Sequence, residues 1–150
     1  MFNASDLTKA ILIQFESHID LEGVTIERNS RVNFYPSRMP WIGIYPGTVD
    51  TDPSTLGSRS GGRRWKETMH PKILLQAQNL DDEGASAADE LEDLIEKCLL
   101  AIDSDLTFKK AGTRVIGMSR EYSYVQMDED EEGGLFFPQC EITLDVETKS

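Results

Sequence analysis

Apolar residues recur with a helical period over residues 86–105, which read SAADELEDLIEKCLLAIDSD. At about 100° per residue, the apolar positions form one stripe and the acidic positions lie opposite, as in a helix with one buried face. The stripe contains Ala87, Ala88, Leu91, Leu94, Ile95, Cys98, Leu99 and Ile102. The acidic face contains Asp89, Glu92, Asp93, Glu96 and Asp103. Ser86 is the expected N-cap. Leu100 projects from the acidic side, either as one tolerated surface leucine or as a contact with another subunit.

A second amphipathic pattern lies near the N-terminus. Asn3 or Ser5 is a suitable cap for a helix running to about Asp20, with Ile13 off its apolar stripe. That stripe contains Leu7, Ile11, Leu12, Phe15 and Ile19. We expect both helices to lie on the same face of a sheet.

Three segments between the helices have strand character. Alternation from Val24 weakens after Arg28, and the short WIGIY segment, residues 41–45, is closed by Pro46 and Gly47. In residues 65–78, WKETMHPKILLQAQ, apolar residues alternate with polar ones, and Pro71 limits pairing on one edge. The second and third strands are predicted to form a long hairpin.

Residues 47–64, GTVDTDPSTLGSRSGGRR, have no apolar period and cannot build a core. One interpretation is a flexible surface loop at the tip of the hairpin. The other is an arm that becomes ordered on meeting a partner, with Arg59, Arg63 and Arg64 making charge-paired contacts.

Two further strands follow the central helix. TRVIGMSREYSYVQM has Ile116, Met118, Tyr122 and Tyr124 on one face, and LFFPQCEITLDVE places its own apolar residues on one face. That second apolar set is Phe136, Cys140, Ile142, Leu144 and Val146. Residues 128–134, DEDEEGG, form the turn between them. The prediction is therefore one α+β domain over residues 1–150, in the order α-β-β-β-α-β-β. Its mainly antiparallel or mixed sheet has about five strands, with two helices on one face.

Charge and composition narrow the function classes. The chain has 15 basic and 27 acidic residues, for a formal net charge of −12, which disfavours sequence-independent attachment to nucleic acid or an anionic membrane. Its apolar runs are far shorter than the roughly 20 residues that span a bilayer, and its first residues do not have the form of a secretory signal. We expect a soluble protein without membrane contact, in which Cys98 and Cys140 are reduced core thiols.

Motifs for catalysis or metal binding are not found in the sequence. His18 and His70 have no metal-ligand partners at the required spacing, and GSRSGGRR lacks the ending of a phosphate-binding loop. Asp128, Asp130 and Glu132 match the first places of a calcium loop, but Gln139 stands where a bidentate Glu is needed. We therefore expect no enzymatic activity, cofactor or metal, and a solvated acidic tip.

The order of elements resembles the tail terminator, or tail completion, proteins of long-tailed bacteriophages. The resemblance covers nearly the whole chain and rests on pattern: an N-terminal helix, the MPWIGIYPG segment with Pro40, Trp41 and Tyr45, a hairpin arm, and a helix with the spacing A-x-x-E-L-x-x-L-I. It implies a virion protein forming a ring, usually hexameric, at the head-proximal end of the tail. Such a ring stops tail-tube polymerisation and joins the head or neck, and DNA passes through its hole. The implied partners are other copies of the chain, the tail tube protein and a head-completion or neck protein, with assembly in the host cytoplasm.

Two sets of residues, all charged except Leu100, become candidate contacts under this resemblance. The subunit or tail-tube interface would use Arg59, Arg63, Arg64 and Lys66 against Asp93, Glu96, Leu100 and Asp103. A rim facing the lumen or neck would use Asp128, Glu129, Asp130, Glu131 and Glu132. Two other functions stay open: another head–tail connector or minor tail component, and a small regulatory or ligand-binding domain in which the Arg-rich loop covers a ligand.

Overall fold

The computed structural model describes residues 2–33, 38–54, 64–77, 84–126 and 136–149. The elements in chain order are α1 (Ala4–Glu16), β1 (Thr25–Arg28), β2 (Trp41–Ser54), β3 (Arg64–Gln76), α2 (Gly84–Asp103), β4 (Thr113–Gln126) and β5 (Phe136–Lys149). A short 3-10 helix over Ile19–Leu21 follows α1. The strands form one mixed sheet in the order β1-β2-β3-β5-β4, in which only β1 and β2 are parallel.

Both helices pack on one face of this sheet, which confirms the predicted α+β class and element order. The core is formed by the inward residues of β2, β3 and β5 against the apolar stripes of the helices. Cys98 and Cys140 are free and fully buried within it. Burial raises the pKa of the Cys98 thiol, and burial likewise raises that of Cys140 to about 11, so both thiols stay protonated near neutral pH.

The β2–β3 hairpin is longer than its sequence indicates. We expected the strand to stop at Pro46 and Gly47, but β2 continues to Ser54, which pairs with Arg64. A bulge between Tyr45 and Thr48 accommodates Pro46 and Gly47, so the strand continues past them. Gly47 has φ +62 in this bulge. A Cβ at Gly47 would lie 1.9 Å from the His70 carbonyl oxygen, so this position requires glycine. Residues 48–54 are thus strand, and residues 55–63 lie outside the described part of the chain.

Helix α1 is capped as predicted but ends early. The Asn3 side chain accepts from the Asp6 amide at 2.9 Å while the Asp6 carboxylate accepts from the Asn3 amide at 3.0 Å, which is a reciprocal capping box. The helix ends at Glu16, so Ile19 leaves the helical phase and is 79% exposed rather than buried. Ile13 is exposed, as expected. The Gln14 amide donates to the Ala101 carbonyl at 2.8 Å, tying α1 to the end of α2.

Helix α2 confirms most of the predicted stripe. Leu91, Leu94, Ile95, Cys98 and Ile102 are buried, and Leu99 is partly buried. The helix begins at Gly84, so Ser86 lies inside the first turn and is not the N-cap. Ala88 was placed in the stripe but is exposed. Ala101, outside the predicted stripe, is buried at the junction with α1.

Strand β4 lies at one edge of the sheet, and its helix-side face is open. A bulge between Val115 and Gly117 interrupts the alternation, so Val115 packs on the core while Ile116 is 48% exposed. Beyond the bulge, Met118, Tyr122 and Tyr124 point toward the helix layer but remain 41 to 66% exposed. Their exposure follows from the position of α2, which packs on β3 and β5.

The other face of the sheet carries a line of hydrogen-bonded polar side chains. Gln76, fully buried on β3, donates to the Asn33 carbonyl at 2.9 Å and to Gln139 Oε1 on β5 at 3.2 Å. Gln139 in turn donates to Ser123 Oγ on β4 at 3.1 Å. This chain of bonds satisfies the buried amide and links three strands.

Candidate interaction surfaces

The acidic side of α2 forms a continuous exposed face, as the sequence predicts. Asp93, Glu96, Leu100 and Asp103 lie on one side of the helix and are all exposed. Leu100 is 50% exposed in the middle of this set. The described positive charge nearest in sequence is Lys97, whose ammonium lies 3.4 Å from the Asp93 carboxylate. We call Asp93, Glu96, Leu100 and Asp103 the acidic helix face. A large exposed apolar side chain with Glu96 and Asp103 on the same side of the helix is suited to contact with a cationic partner that also has apolar surface.

A groove separates α2 from the edge strand β4. Its volume is about 370 Å³, and its walls include Glu92 and Leu99 from α2 and Arg120 from β4. The Tyr122 hydroxyl donates to the Glu92 carboxylate, and this bond raises the pKa of the tyrosine. The groove therefore joins the acidic helix face to the exposed aromatic residues of β4.

The predicted basic contact residues are only partly described. Lys66 lies near the start of β3 and is exposed, with its ammonium 3.5 Å from the Glu147 carboxylate. Arg64 opens β3, but its side chain lies outside the described structure, as do Arg59 and Arg63 entirely. Lys66 projects from the sheet face opposite the helices, since its neighbour Glu67 pairs with the buried Thr148 on the core side. The structure thus separates Lys66 from the acidic helix face.

His70 and two carboxylates form a cluster that the sequence did not indicate. On the outer face of β3, its Nε2 lies 2.8 Å from Asp50 on β2 and its Nδ1 lies 2.7 Å from Asp145 on β5. Burial acts to lower the pKa of His70, but the two carboxylates outweigh it, so the pKa is above the ordinary value. Each carboxylate contacts a different ring nitrogen. Both partners are distant in sequence, so no local spacing could reveal this three-strand link.

The remaining candidates are the acidic tip, a metal site, a membrane-spanning helix and a cavity between the helix ends. The acidic tip, Asp128, Glu129, Asp130, Glu131 and Glu132, lies outside the described residues. Within the described ranges, no three His, Cys, Asp or Glu side chains are grouped to hold a metal ion. None of the described helices is long and apolar enough to cross a bilayer. A cavity of about 470 Å³ lies where α1 and α2 end, lined by residues that include Gln14, His18 and Phe108.

Comparison with known proteins gives no family. No protein-family model matches the chain, and no curated protein matches it. Among solved structures, the chain is similar to one from the virion of a native gene transfer agent particle, with 13% identity and a TM-score of 0.43 over 95% of this chain and 92% of that chain.

Proposed function

We propose that the protein is a structural virion protein whose copies form a ring, with six subunits expected, that caps the phage tail tube. The ring ends polymerisation of the tube and offers the surface to which the head or neck joins. The order of elements supports this proposal, since it resembles tail terminator proteins. The same proposal gives the protein no catalytic residue, cofactor or metal.

The observation that carries the proposal is the separation of two complementary surfaces. The acidic helix face lies on the helix layer, whereas Lys66 projects from the opposite side of the sheet, and Arg59, Arg63 and Arg64 shortly precede Lys66 in sequence. Lys66 and the acidic helix face lie on different sides of the sheet, so they do not pair with each other within one chain. They fit a heterologous contact, in which one patch of a subunit meets a different patch of the next, and such contacts form a ring when the rotation between neighbours closes.

Charge also fits the passage of DNA through such a ring. Six copies at −12 each carry a formal charge of −72. A lumen that exposes part of this charge repels the phosphate backbone, so genomic DNA passes through without being held. We assign Asp128, Glu129, Asp130, Glu131 and Glu132 to the lumen or the rim facing the neck. Neutralising these five residues should change DNA passage or neck docking, and unaltered infectivity would identify them as a solvated turn.

The interface is tested by replacing Arg59, Arg63 and Arg64 together with serine. We expect a folded monomer that neither closes rings nor joins tails, because the cationic partner of the acidic helix face is lost. A matched variant replaces three other basic residues, Lys9, Arg31 and Lys109, with serine, which keeps the net charge of the first variant but should leave assembly intact. Circular dichroism checks folding, and electron microscopy checks rings. Normal virions from the arginine variant would contradict the assignment.

The two alternative functions are a small ligand-binding domain and another head–tail connector or minor tail component. The cavity between the ends of α1 and α2 favours a small ligand-binding domain as the second candidate, and a monomer stabilised by a bound small molecule would support it. Another head–tail connector or minor tail component would share the ring, and locating the protein within particles by labelling distinguishes it from a tail cap.

A further inference from the structure

The cluster of His70 and its two carboxylates lies where the β2–β3 hairpin extends beyond β1. Strand β1 pairs with β2 only along Trp41–Ile44, and the bulge in β2 follows directly. Just past the bulge, His70 lies opposite Thr48. We call Thr48–Ser54 the distal part of β2. Among the described residues, β3 is the one strand that pairs with this part of β2.

Side-chain packing contributes little to holding the distal part of β2. Its described side chains, Thr48–Asp52, are all exposed, and Val49 is the apolar one among them. None of them belongs to the hydrophobic core. Lys66 lies opposite Asp52, but its ammonium contacts a carboxylate of β5 instead. Among the described ion pairs, the contact of Asp50 with His70 is therefore the one that ties this part of β2 to the sheet.

The ring of His70 lies between two carboxylates. Its Nε2 is 2.8 Å from Asp50 on β2, and its Nδ1 is 2.7 Å from Asp145 on β5. A neutral imidazole has one N–H and donates to only one of these carboxylates, whereas the imidazolium donates to both. Burial acts to lower the pKa of His70, and the two carboxylates raise it above the ordinary value. The geometry and the charges therefore both favour the doubly protonated ring.

The two bonds differ in their surroundings. Asp145 is 44% exposed and lies on β5, which has β3 on one side and β4 on the other. Asp50 is 72% exposed and lies on the distal part of β2. A carboxylate that loses its partner is better solvated at the more exposed position. When His70 loses one proton, we expect the remaining N–H to stay on Nδ1 with Asp145 and the bond to Asp50 to be lost.

The other described charged side chains of β2 to β5 on this face are Asp52, Lys66, Lys72, Glu141, Glu147, Arg114 and Glu121. The two lysines are paired, Lys72 with Glu141 at 3.3 Å and Lys66 with Glu147 at 3.5 Å. On β4, the residue opposite Asp145 is Gly117, which has no charge. Asp50 and Asp145 are therefore the groups that decide the charge of His70.

We infer that the His70 bridge is a pH-sensitive switch: the doubly protonated ring fastens the distal part of β2 to β3 and β5, and loss of the Nε2 proton releases it. The sign follows from the raised pKa of His70. The bridge is intact below about pH 6.5 while the carboxylates are ionised, and it breaks as pH rises through the folded-state pKa. The switch goes beyond the proposed ring, because it is a property of the single chain.

Amide hydrogen exchange in the full-length chain tests the switch. Distal β2 amides that bond to β3 should lose about tenfold in protection factor between about pH 5.5 and about pH 8, after correction for intrinsic exchange rates. Amides of Trp41–Ile44, on the same strand before the bulge, should change by less than about twofold. Equal protection of the distal amides at both pH values would overturn the switch.

Variants with matched controls separate the bridge from a general effect of pH. His70→Gln and Asp50→Ala should each give the low distal protection at both pH values, because the contact between β2 and the ring is lost. The controls are His18→Gln, which removes the other histidine, and Asp52→Ala, two residues along the same strand; both should keep the pH dependence. A pH dependence that survives in either bridge variant excludes the switch, so Asp50→Ala decides the question if circular dichroism shows that His70→Gln is unfolded.

The tautomer of His70 gives an independent readout. In nitrogen-15 spectra above the folded-state pKa, a proton on Nδ1 supports the release of Asp50, whereas a proton on Nε2 means that Asp145 is released instead and overturns the switch. Light scattering on the same samples reports the ring. A failed switch therefore leaves the proposed function standing, and an absent ring leaves the switch standing.

Discussion

Gly43 provides the space in which the Trp41 indole lies on the outer face of the sheet. A Cβ at position 43 would be 2.3 Å from Trp41 Cη2, and the indole is fully buried with its N–H donating to Glu27 Oε1 at 3.2 Å. Gly43→Ala should therefore lower the free energy of unfolding by about 1–3 kcal/mol, the usual size of an overpacking effect. Urea unfolding measures it. Adding Trp41→Phe should recover part of the loss, whereas an unchanged urea midpoint in the single variant would contradict this packing.

His70 should make part of the stability depend on pH. Its folded-state pKa is raised, so the bonds to Asp50 and Asp145 stabilise the fold fully below the unfolded pKa of about 6.5 while the carboxylates are ionised. The contribution is lost as pH rises through the folded pKa. We expect His70→Gln to lose about 1 kcal/mol near pH 5.5 and less at pH 8. In the Asp50→Asn/Asp145→Asn background this dependence should disappear. A stability difference that is constant with pH would exclude the charged state.

At the scale of the element, we expect mutation of the outward side of α2 to have the clearest effect on ring assembly. Leu100→Asp should leave the fold intact, because the residue is 50% exposed, and should block ring closure by adding a charge at a desolvated contact. Ile13→Asp, at an equally exposed apolar position on α1, is the matched control and should assemble normally. Mass in solution reports assembly. If the Leu100→Asp variant still forms rings, the acidic helix face is a solvent-exposed surface and not a subunit contact.

The elements that periodicity predicts correctly are those whose burial is set along a single segment. The stripe of α2 from Leu91 onward and the stripe of β5 from Cys140 onward follow from their own spacing, since one face of each packs on the core. Ile19 and β2 beyond Pro46 were mispredicted for local reasons: α1 ends at Glu16, and a bulge carries the strand past Gly47. The exposure of Tyr122 and the pairing of His70 depend on which elements become neighbours, and the sequence alone does not determine those neighbours.

At the scale of the whole molecule, the chain has the asymmetry that a closed ring needs. The β4 edge and the acidic helix face lie toward one end of the sheet order, and the free part of β2 with its hairpin lies toward the other. Each subunit therefore offers two unlike surfaces, as the heterologous contact of the proposed ring requires.

The most direct test of the ring is the mass of the purified full-length chain in solution at high concentration, measured by light scattering after size exclusion. One chain has a mass of 16.9 kDa, so a ring of six copies has a mass of about 101 kDa, six times that value. We predict a species of this closed size, with a central hole in electron micrographs. A monomer of 16.9 kDa that persists at high concentration would contradict the account.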